Sequence, residues 1–390
     1  MVHLVENTLK ARTKDGRGGE IVGLVVVPTK DLTHQVVSTM VQLSRGMNVR
    51  IGVLNKAVIA RAIKDPLSKP RFDILVSTPM RLVHAVTNSA IDLSGVRSVV
   101  LDEADRLFET GFLEQTDEIL SACSGDSVQR SLFSATIPSG VEQLAKTIMS
   151  STPLRIFIGK SNTAAATVDQ KLVYTTNEQG KLIALRQMLQ SGDLVPPVLV
   201  FLQSVQRAKA LFHEMMYDGI NAEFIHGERS EAQRNKILEK FKRAEIWVLI
   251  CTDVMARGID VHGVNVVVNY DVPQSAQAYI HRIGRTGRAG RTGRAITFFT
   301  RDDSDAIKPV VNVMRESGCE VADWMTRMSK LSKNKKKELK RRPVERNDIS
   351  TVPTVDRLKR KRRRDAVESQ RKRSAAAPDA ADDGAGEESA

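Results

Sequence analysis

Short runs of valine, isoleucine and leucine recur along residues 20–300 without the strict polar–apolar alternation of a strand that faces water. They lie at Gly23–Val27, Phe72–Val76, Arg97–Leu101, Val198–Leu202, Ala222–Ile225, Trp247–Cys251, Val264–Asn269 and Ala295–Phe299. A strand covered on both faces has no solvent side to supply polar residues, so such runs predict parallel strands between layers of helix. Gln129–Phe133 is more polar and is read as a strand mainly from its position before Ser134-Ala135-Thr136. Helical stretches alternate with the runs at Pro79–Val86, Gly140–Met149, Ser204–Tyr217, Ser230–Lys242 and Asp302–Ser317. This alternation predicts doubly wound α/β architecture.

The small, polar stretch Gly159–Val168 divides the pattern and reads as a linker. Residues 1–158 and 169–329 are then two α/β domains, the second with a short helical extension. From Lys330 the chain is low in complexity and charged, so 330–390 reads as a disordered tail, first basic and then acidic. The formal charge of +13 is concentrated there: Lys330–Arg373 holds 19 basic and 6 acidic residues, and Ser374–Ala390 holds five acidic residues and no basic one. Basic arms of this kind contact phosphate backbones or serve as nuclear addresses. No apolar run approaches the ~18 residues of a membrane span. Cys123, Cys251 and Cys319 are scattered without a C-x-x-C and read as reduced thiols of an intracellular compartment.

The polar motifs follow the apolar runs. In VVLDEAD, Asp102 and Glu103 stand at the end of a buried strand, the edge where open α/β sheets bind ligands. Asp102 is placed to hold a nucleotide-bound magnesium through water, and Glu103 to orient the attacking water. HRIGRTGR brings Arg282, Arg285 and Arg288 about a turn apart after the helical stretch Ser275–Ile280, and a planar guanidinium suits a developing phosphoryl charge. Thr78 and Arg81 sit at a strand-to-helix junction, where backbone N–H groups favour anions.

Taken in order, PTKDL (Pro28–Leu32), TPMR (Thr78–Arg81), DEAD (Asp102–Asp105), SAT (Ser134–Thr136), TDVMARGID (Thr252–Asp260) and HRIGRTGR (His281–Arg288) closely resemble the signatures of the DEAD-box ATP-dependent RNA helicases over roughly residues 1–300. The resemblance implies two RecA-like domains that close around ATP, Mg2+ and RNA. It implies that Ser134 and Thr136 contact Asp105, that His281 meets the DEAD segment and that Arg257 bridges the domains. Asp260 would bind the ATP ribose, and Arg285 and Arg288 would be arginine fingers. RNA contacts would come from Pro28, Thr29, Lys30, Thr78, Arg81, Gln203 or Ser204, Thr252 and Gly258, to phosphate and sugar and so without sequence preference. The segments PPVLVFLQSVQRAKALFHEM, IWVLICTDVMARGID and AITFFT are similar to the Rok-type branch, which implies pre-rRNA as substrate, ribosome-assembly proteins as partners, no membrane, and a nucleolar, monomeric protein.

The chain departs from the family pattern in several places. No G-x-x-x-x-G-K-[ST] occurs in it; Gly159-Lys160-Ser161 mimics the end of that loop, but its first glycine would fall at Leu154. Only the helix-like MVHLVENTLKAR precedes the first strand, so the resemblance places the start of this chain just inside a truncated first domain, without the adenine-reading and phosphate-cradling segments and with core positions left uncovered. On that expectation an alternative stands beside the helicase: a non-catalytic RNA-binding assembly factor. Lesser departures are Lys30 for arginine, Met80 for glycine, Asn55-Lys56 near a usual glycine pair, and Glu231 for glutamine with Arg234 retained.

Overall fold

The computed structural model describes residues 1–15, 20–65, 70–108, 111–125, 128–149, 152–159, 163–253, 261, 263–288 and 290–328, with isolated positions beyond, among them Val344, Arg346 and Ile349. The first domain runs α1 (Val2–Asp15), β1 (Gly23–Val26), α2 (Lys30–Leu43), β2 (Ile51–Val53), α3 (Lys56–Lys64), β3 (Ile74–Ser77), α4 (Pro79–Thr87), β4 (Ser98–Leu101), α5 (Ala104–Leu107), α6 (Leu113–Ala122), β5 (Gln129–Leu132) and α7 (Ser139–Ile148). Its strands pair in parallel in the order β2-β3-β1-β4-β5, in register Gly23 with Ile74 and Ser98. Period two along β1 sends Val25 and Val27 to one face, against Leu4 and Val5 of α1 and Val36 and Met40 of α2. Leu24 and Val26 go to the other face, with Ile59, Leu82, Ala85 and Ile119 from α3, α4 and α6. The helix-like opening segment is thus a helix that covers one face of the sheet. The outermost strand, β5, is only partly buried, and Phe133 after it is exposed.

The second domain runs β6 (Val168–Tyr174), α8 (Glu178–Gln190), β7 (Val198–Leu202), α9 (Val205–Tyr217), β8 (Ala222–Ile225), α10 (Glu231–Lys242), β9 (Val248–Thr252), β10 (Val266–Asn269), α11 (Ala276–Ile283), β11 (Gly293–Phe299), α12 (Ser304–Glu316) and α13 (Asp323–Thr326). All its strands are parallel, in the order β6-β11-β10-β7-β9-β8. Val198, Val200 and Leu202 face α8 and α9; Leu199 and Phe201 face Ile237 and Phe241 of α10. α11 and α12 close the remaining part around Tyr279, Ile283, Ile307 and Val310.

Two strands escaped the sequence reading. β2 is three residues long and contains Gly52, over which Phe72 packs so closely that no Cβ would fit. β6 is an edge strand, and its half-buried VDQKLVY reads as polar; its first residue, Val168, closes the stretch that reads as a linker. Most of 330–390 lies outside the described residues. Within it, Ile349 is buried with Leu182, Leu211 and Phe298 in the core of the second domain, and Arg346 is buried too, so these two positions past residue 329 belong to that domain. The three cysteines are free thiols, and among the described residues no helix is long and apolar enough to cross a membrane.

Candidate active site and RNA face

The parallel sheet of the first domain brings its motifs to one edge. Pro28–Lys30 follows β1, Thr78–Arg81 follows β3, Asp102–Asp105 follows β4 and Ser134–Thr136 follows β5. Asp102 still continues the ladder, its N–H donating to the Val26 carbonyl at 3.1 Å. Glu103 then takes φ 51°, ψ 48°, a left-handed turn that costs a non-glycine residue about 1–2 kcal/mol and breaks the strand sharply into α5. The Ala104 N–H is tied to the Phe133 carbonyl at 3.0 Å, which fixes this turn beside the SAT segment. The Asp102 carboxylate accepts the Glu103 N–H at 3.0 Å. Burial raises its pKa above the ordinary carboxylate value, and the nearby Asp105 adds to the shift.

Asp105 is 1% exposed and lies at the meeting point of the two domains. Its Oδ2 accepts the Thr136 hydroxyl at 2.7 Å and the Gln277 amide at 3.4 Å, and the His281 Nε2 is 3.3 Å away. Gln277 also reaches the Thr136 hydroxyl at 3.3 Å, and His281 Nε2 is 4.0 Å from Glu103 Oε2. Thr136 and His281 therefore stand where the family resemblance implies, against the DEAD segment. Ser134 does not contact Asp105: its hydroxyl donates to the Thr136 carbonyl at 2.6 Å and so shapes the turn that presents Thr136. Gln277 was missed. The signal was present, since Gln277 and His281 are one helical turn apart and share a face of α11.

Glu103, Asp105 and His281 bring ligand-type atoms within 4.8 Å of one another. The Asp105 oxygen in this set already faces a hydroxyl, an amide and an imidazole. Asp102 is the better cation ligand, because a buried carboxylate beside another carboxylate gains most from a positive charge. The described residues thus fit the magnesium side of a nucleotide site.

The arginines of HRIGRTGR divide by role. Arg282 is wholly buried: it forms a two-point pair with Asp253 at 2.5 and 2.7 Å, donates to the Asp271 carbonyl at 2.7 Å and to Asn269 Oδ1 at 3.3 Å, and lies over the Phe201 ring. It holds α11 on the sheet. Arg285 and Arg288 follow at the end of α11, their Nε atoms donating to the carbonyls of His281 and Gly284 at 3.3 and 2.6 Å. Arg257, Gly258 and Asp260 lie outside the described residues.

The positions expected to touch RNA surround helix starts. Thr29 caps α2, accepting the Leu32 N–H at 3.3 Å, with Pro28 buried behind it and Lys30 exposed. Thr78 precedes Pro79 at the start of α4, and Arg81 donates to the Leu54 carbonyl at 2.9 Å. β1 and β3 are neighbours, so these two N-termini lie side by side. In the second domain Ser204 caps α9 by accepting the Arg207 N–H, and Thr252 ends β9. The Gln203 amide makes a contact that sequence reasoning did not foresee, with Val344 and Arg346. The departures from the family pattern also find places. Asn55 caps α3 at 2.8 Å, Met80 is 67% exposed, and Glu231 pairs with His34 of the first domain at 2.9 Å beside an Arg234–Asp31 pair at 2.9 Å.

A family model described as DEAD/DEAH box helicase matches residues 4–144, and one described as helicase conserved C-terminal domain matches 180–290. The chain is 50% identical over 375 residues to "ATP-dependent RNA helicase ROK1" of Scheffersomyces stipitis, a match that covers 96% of this chain and 67% of that protein. The chain belongs to the DEAD-box RNA helicase family. It is also 50% identical to "ATP-dependent RNA helicase CHR1" of Candida albicans, covering 96% of this chain and 64% of that one. It thus spans about two thirds of the length of the curated relatives it matches. S. cerevisiae Dbp5 bound to RNA and ADP BeF3 superposes with TM-score 0.68 at 24% identity, covering 85% of this chain and 84% of that one, a likeness of fold. Mss116p bound to ssRNA and AMP-PNP superposes with TM-score 0.67 at 26% identity, covering 82% and 65%. The two parallel-sheet domains are accordingly RecA-like.

Proposed function

We propose that this chain carries the working core of an ATP-dependent RNA helicase that remodels duplexes during rRNA processing and small-subunit assembly in the nucleolus. The observation that carries the reading is the cluster at Asp105. Thr136 from the first domain and Gln277 and His281 from the second converge on one carboxylate two residues from Glu103. A change at the nucleotide side of the DEAD turn is then felt by both domains. Asp102 would hold a nucleotide-bound magnesium through water, and Glu103 would orient the attacking water. Arg285 and Arg288 would swing from their carbonyl partners to the phosphates, and Arg257 and Asp260 would complete the cleft. Bound ATP supplies the phosphoryl-transfer step that resets the clamp. RNA would lie across the α2 and α4 N-termini and the Gln203, Ser204, Thr252 and Gly258 positions. Its phosphates would be read by backbone amides, Lys30 and Arg81, as suits contacts that position without specifying sequence.

The names of the relatives support RNA remodelling, and the Rok-type segments support pre-rRNA as substrate and ribosome-assembly proteins as partners. The basic blocks Lys335–Lys337, Lys340–Arg342 and Lys359–Arg364 support nuclear entry and attraction to rRNA. The reading takes the protein as a monomer. A second reading is RNA binding that is indifferent to ATP; the motif G-x-x-x-x-G-K-[ST] does not occur within the 390 residues given.

The test is RNA-stimulated ATP hydrolysis with Mg2+ by the full-length product. Glu103→Gln should abolish turnover and leave RNA affinity within about twofold, because a positioned base or water-orienting group contributes mainly to the chemical step. Turnover by Glu103→Gln at the wild-type rate refutes the site. RNA affinity unchanged by ATP, with no turnover, selects the second reading.

A further inference from the structure

The second domain holds a buried acidic pocket that the helicase motifs do not explain. Glu178 at the start of α8, Asp271 after β10 and Asp303 before α12 place three carboxylates around one point. Two cations come from the domain itself. Lys181 lies 2.8 Å from Glu178 and 3.6 Å from Asp303, and Arg207 lies 2.7 Å from Asp271 and also pairs with Glu178. The third cation comes from far along the chain. The Arg346 side chain is 2% exposed, with Nη2 2.5 Å from Asp303, Nε 3.7 Å from Asp271 and Nη1 3.8 Å from Glu178. Three carboxylates thus face three cations, and without Arg346 the pocket would bury one negative charge in excess. Burial alone would raise the Asp303 carboxyl; the paired Arg346 guanidinium and the Lys181 charge turn the shift downward.

The arm that delivers Arg346 also takes hold of Gln203. The Gln203 Nε2 donates to the Val344 carbonyl at 3.1 Å, and its Oε1 accepts from Arg346 Nε at 2.9 Å. Ile349 anchors the far side of the arm in the apolar core. The Gln203 amide is therefore engaged at both its nitrogen and its oxygen, by Val344 and Arg346.

We propose that this pocket is a docking site for the chain's own arginine arm, and that the docked arm competes with RNA for Gln203. The inference rests on the RNA-binding role assigned to Gln203 above. A phosphate can take the Gln203 N–H that faces Val344 only once that carbonyl has left it. An arm docked nine-tenths of the time would weaken apparent RNA affinity about tenfold, since only the undocked fraction is competent. The arm also carries the basic blocks on either side of Arg346, so its release hands positive charge to the same RNA.

The test uses the whole chain and a short fluorescein-labelled oligoadenylate in nucleotide-free anisotropy titrations. Arg346→Ala should bind about three- to tenfold more tightly than wild type, although it has lost a positive charge, and a purely structural or electrostatic role would give the opposite sign. In a Gln203→Ala background the gain should vanish. Should Arg346→Ala fail to fold, Arg346→Lys keeps the charge but cannot serve Asp303 and Gln203 together, and a smaller gain is expected from it. Hydrogen exchange gives the second readout: the amides of Val344, Arg346 and Ile349 should be protected in free wild-type protein and lose protection when RNA is added. Equal or weaker binding by the Arg346 variants, or protection that RNA leaves unchanged, overturns the competition alone. An oligoadenylate that binds neither wild type nor variants overturns it together with the RNA-binding reading.

Discussion

The motif HRIGRTGR is expected to serve phosphoryl transfer, yet its first arginine is built into the core, and truncating it should unfold the second domain rather than slow chemistry. Arg282→Ala removes a guanidinium with a two-point carboxylate pair, a carbonyl partner and an amide partner. Breaking a buried pair from one side costs about 3–5 kcal/mol. Here the cost is reduced, because the Asp253 side chain is 43% exposed and can hydrate alone. The Asp271 carbonyl and the fully buried Asn269 Oδ1 cannot, and each buried acceptor left without a donor costs about 1–3 kcal/mol. We expect a net loss of about 3–4 kcal/mol, a large part of the roughly 5–15 kcal/mol that a domain has in total. For a domain of this size that is a fall in midpoint of about 6–16 °C. The assay is built in: both tryptophans, Trp247 and Trp324, lie in the second domain and are half exposed, so intrinsic fluorescence follows that domain alone. Arg288→Ala is the control, with an expected cost below about 1 kcal/mol. An Arg282→Ala protein whose fluorescence midpoint matches wild type within about 0.5 kcal/mol would refute the structural assignment.

Other perturbations test the same map. Thr136→Val removes the 2.7 Å hydroxyl bond to Asp105 and should weaken the interdomain cluster by about 1–3 kcal/mol, visible as a larger radius of gyration in solution scattering; an unchanged radius would dissociate Thr136 from closure. For Asp271, burial pushes the carboxyl up, but the Arg207 hydrogen bond and the charges of Arg346, Arg207 and Lys181 outweigh it and hold the pKa at about 2, against 3.8 ordinarily. The unfolded chain takes up this proton first, so the contribution, about 2 kcal/mol, is intact above pH 4 and is lost as pH falls through about 2. Acid titration of tryptophan fluorescence should show the second domain losing stability in that window, and Asp271→Asn should flatten the slope there.

Much of the fold was legible because parallel strands buried on both faces leave a plain apolar record. Val198–Leu202 and Ala222–Ile225 coincide with β7 and β8, and the motifs fall at strand ends as the topology of α/β sheets requires. β6 was illegible for the opposite reason: as an edge strand it mixes Asp169, Gln170 and Lys171 with its apolar residues and resembles a linker. At the site, the contacts of Thr136 and His281 with the DEAD segment were readable only through the family resemblance, since both join residues far apart in the sequence. Those that depend on which donor wins a shared acceptor were not. Ser134 and Thr136 are chemically equivalent in the sequence, and only the turn geometry gives Asp105 to Thr136. The placement of Arg346 was the least legible feature, because a single arginine between Glu345 and Asn347 carries no mark of the three carboxylates that it meets.

The contacts between the two domains differ in kind from those within them. Each apolar cluster that includes sheet residues draws them from one domain's sheet only. Among the described residues, contacts across the cleft include the Asp105 cluster, the Arg234–Asp31 pair and the His34–Glu231 pair, which are hydrogen bonds and charges. Such groups exchange readily with water or with a ligand, whereas an apolar seam would have to be torn open at about 25 cal/mol for each Å² exposed. A cleft held in this way opens and closes at lower cost than one sealed by apolar packing. The acidic pocket of the second domain is held more firmly, because departure of Arg346 leaves buried carboxylates short of a cation and also draws Ile349 out of the apolar core. RNA and the C-terminal arm would then be two polar ligands for one face, and the balance between them is set by Arg346, which belongs to neither helicase domain model.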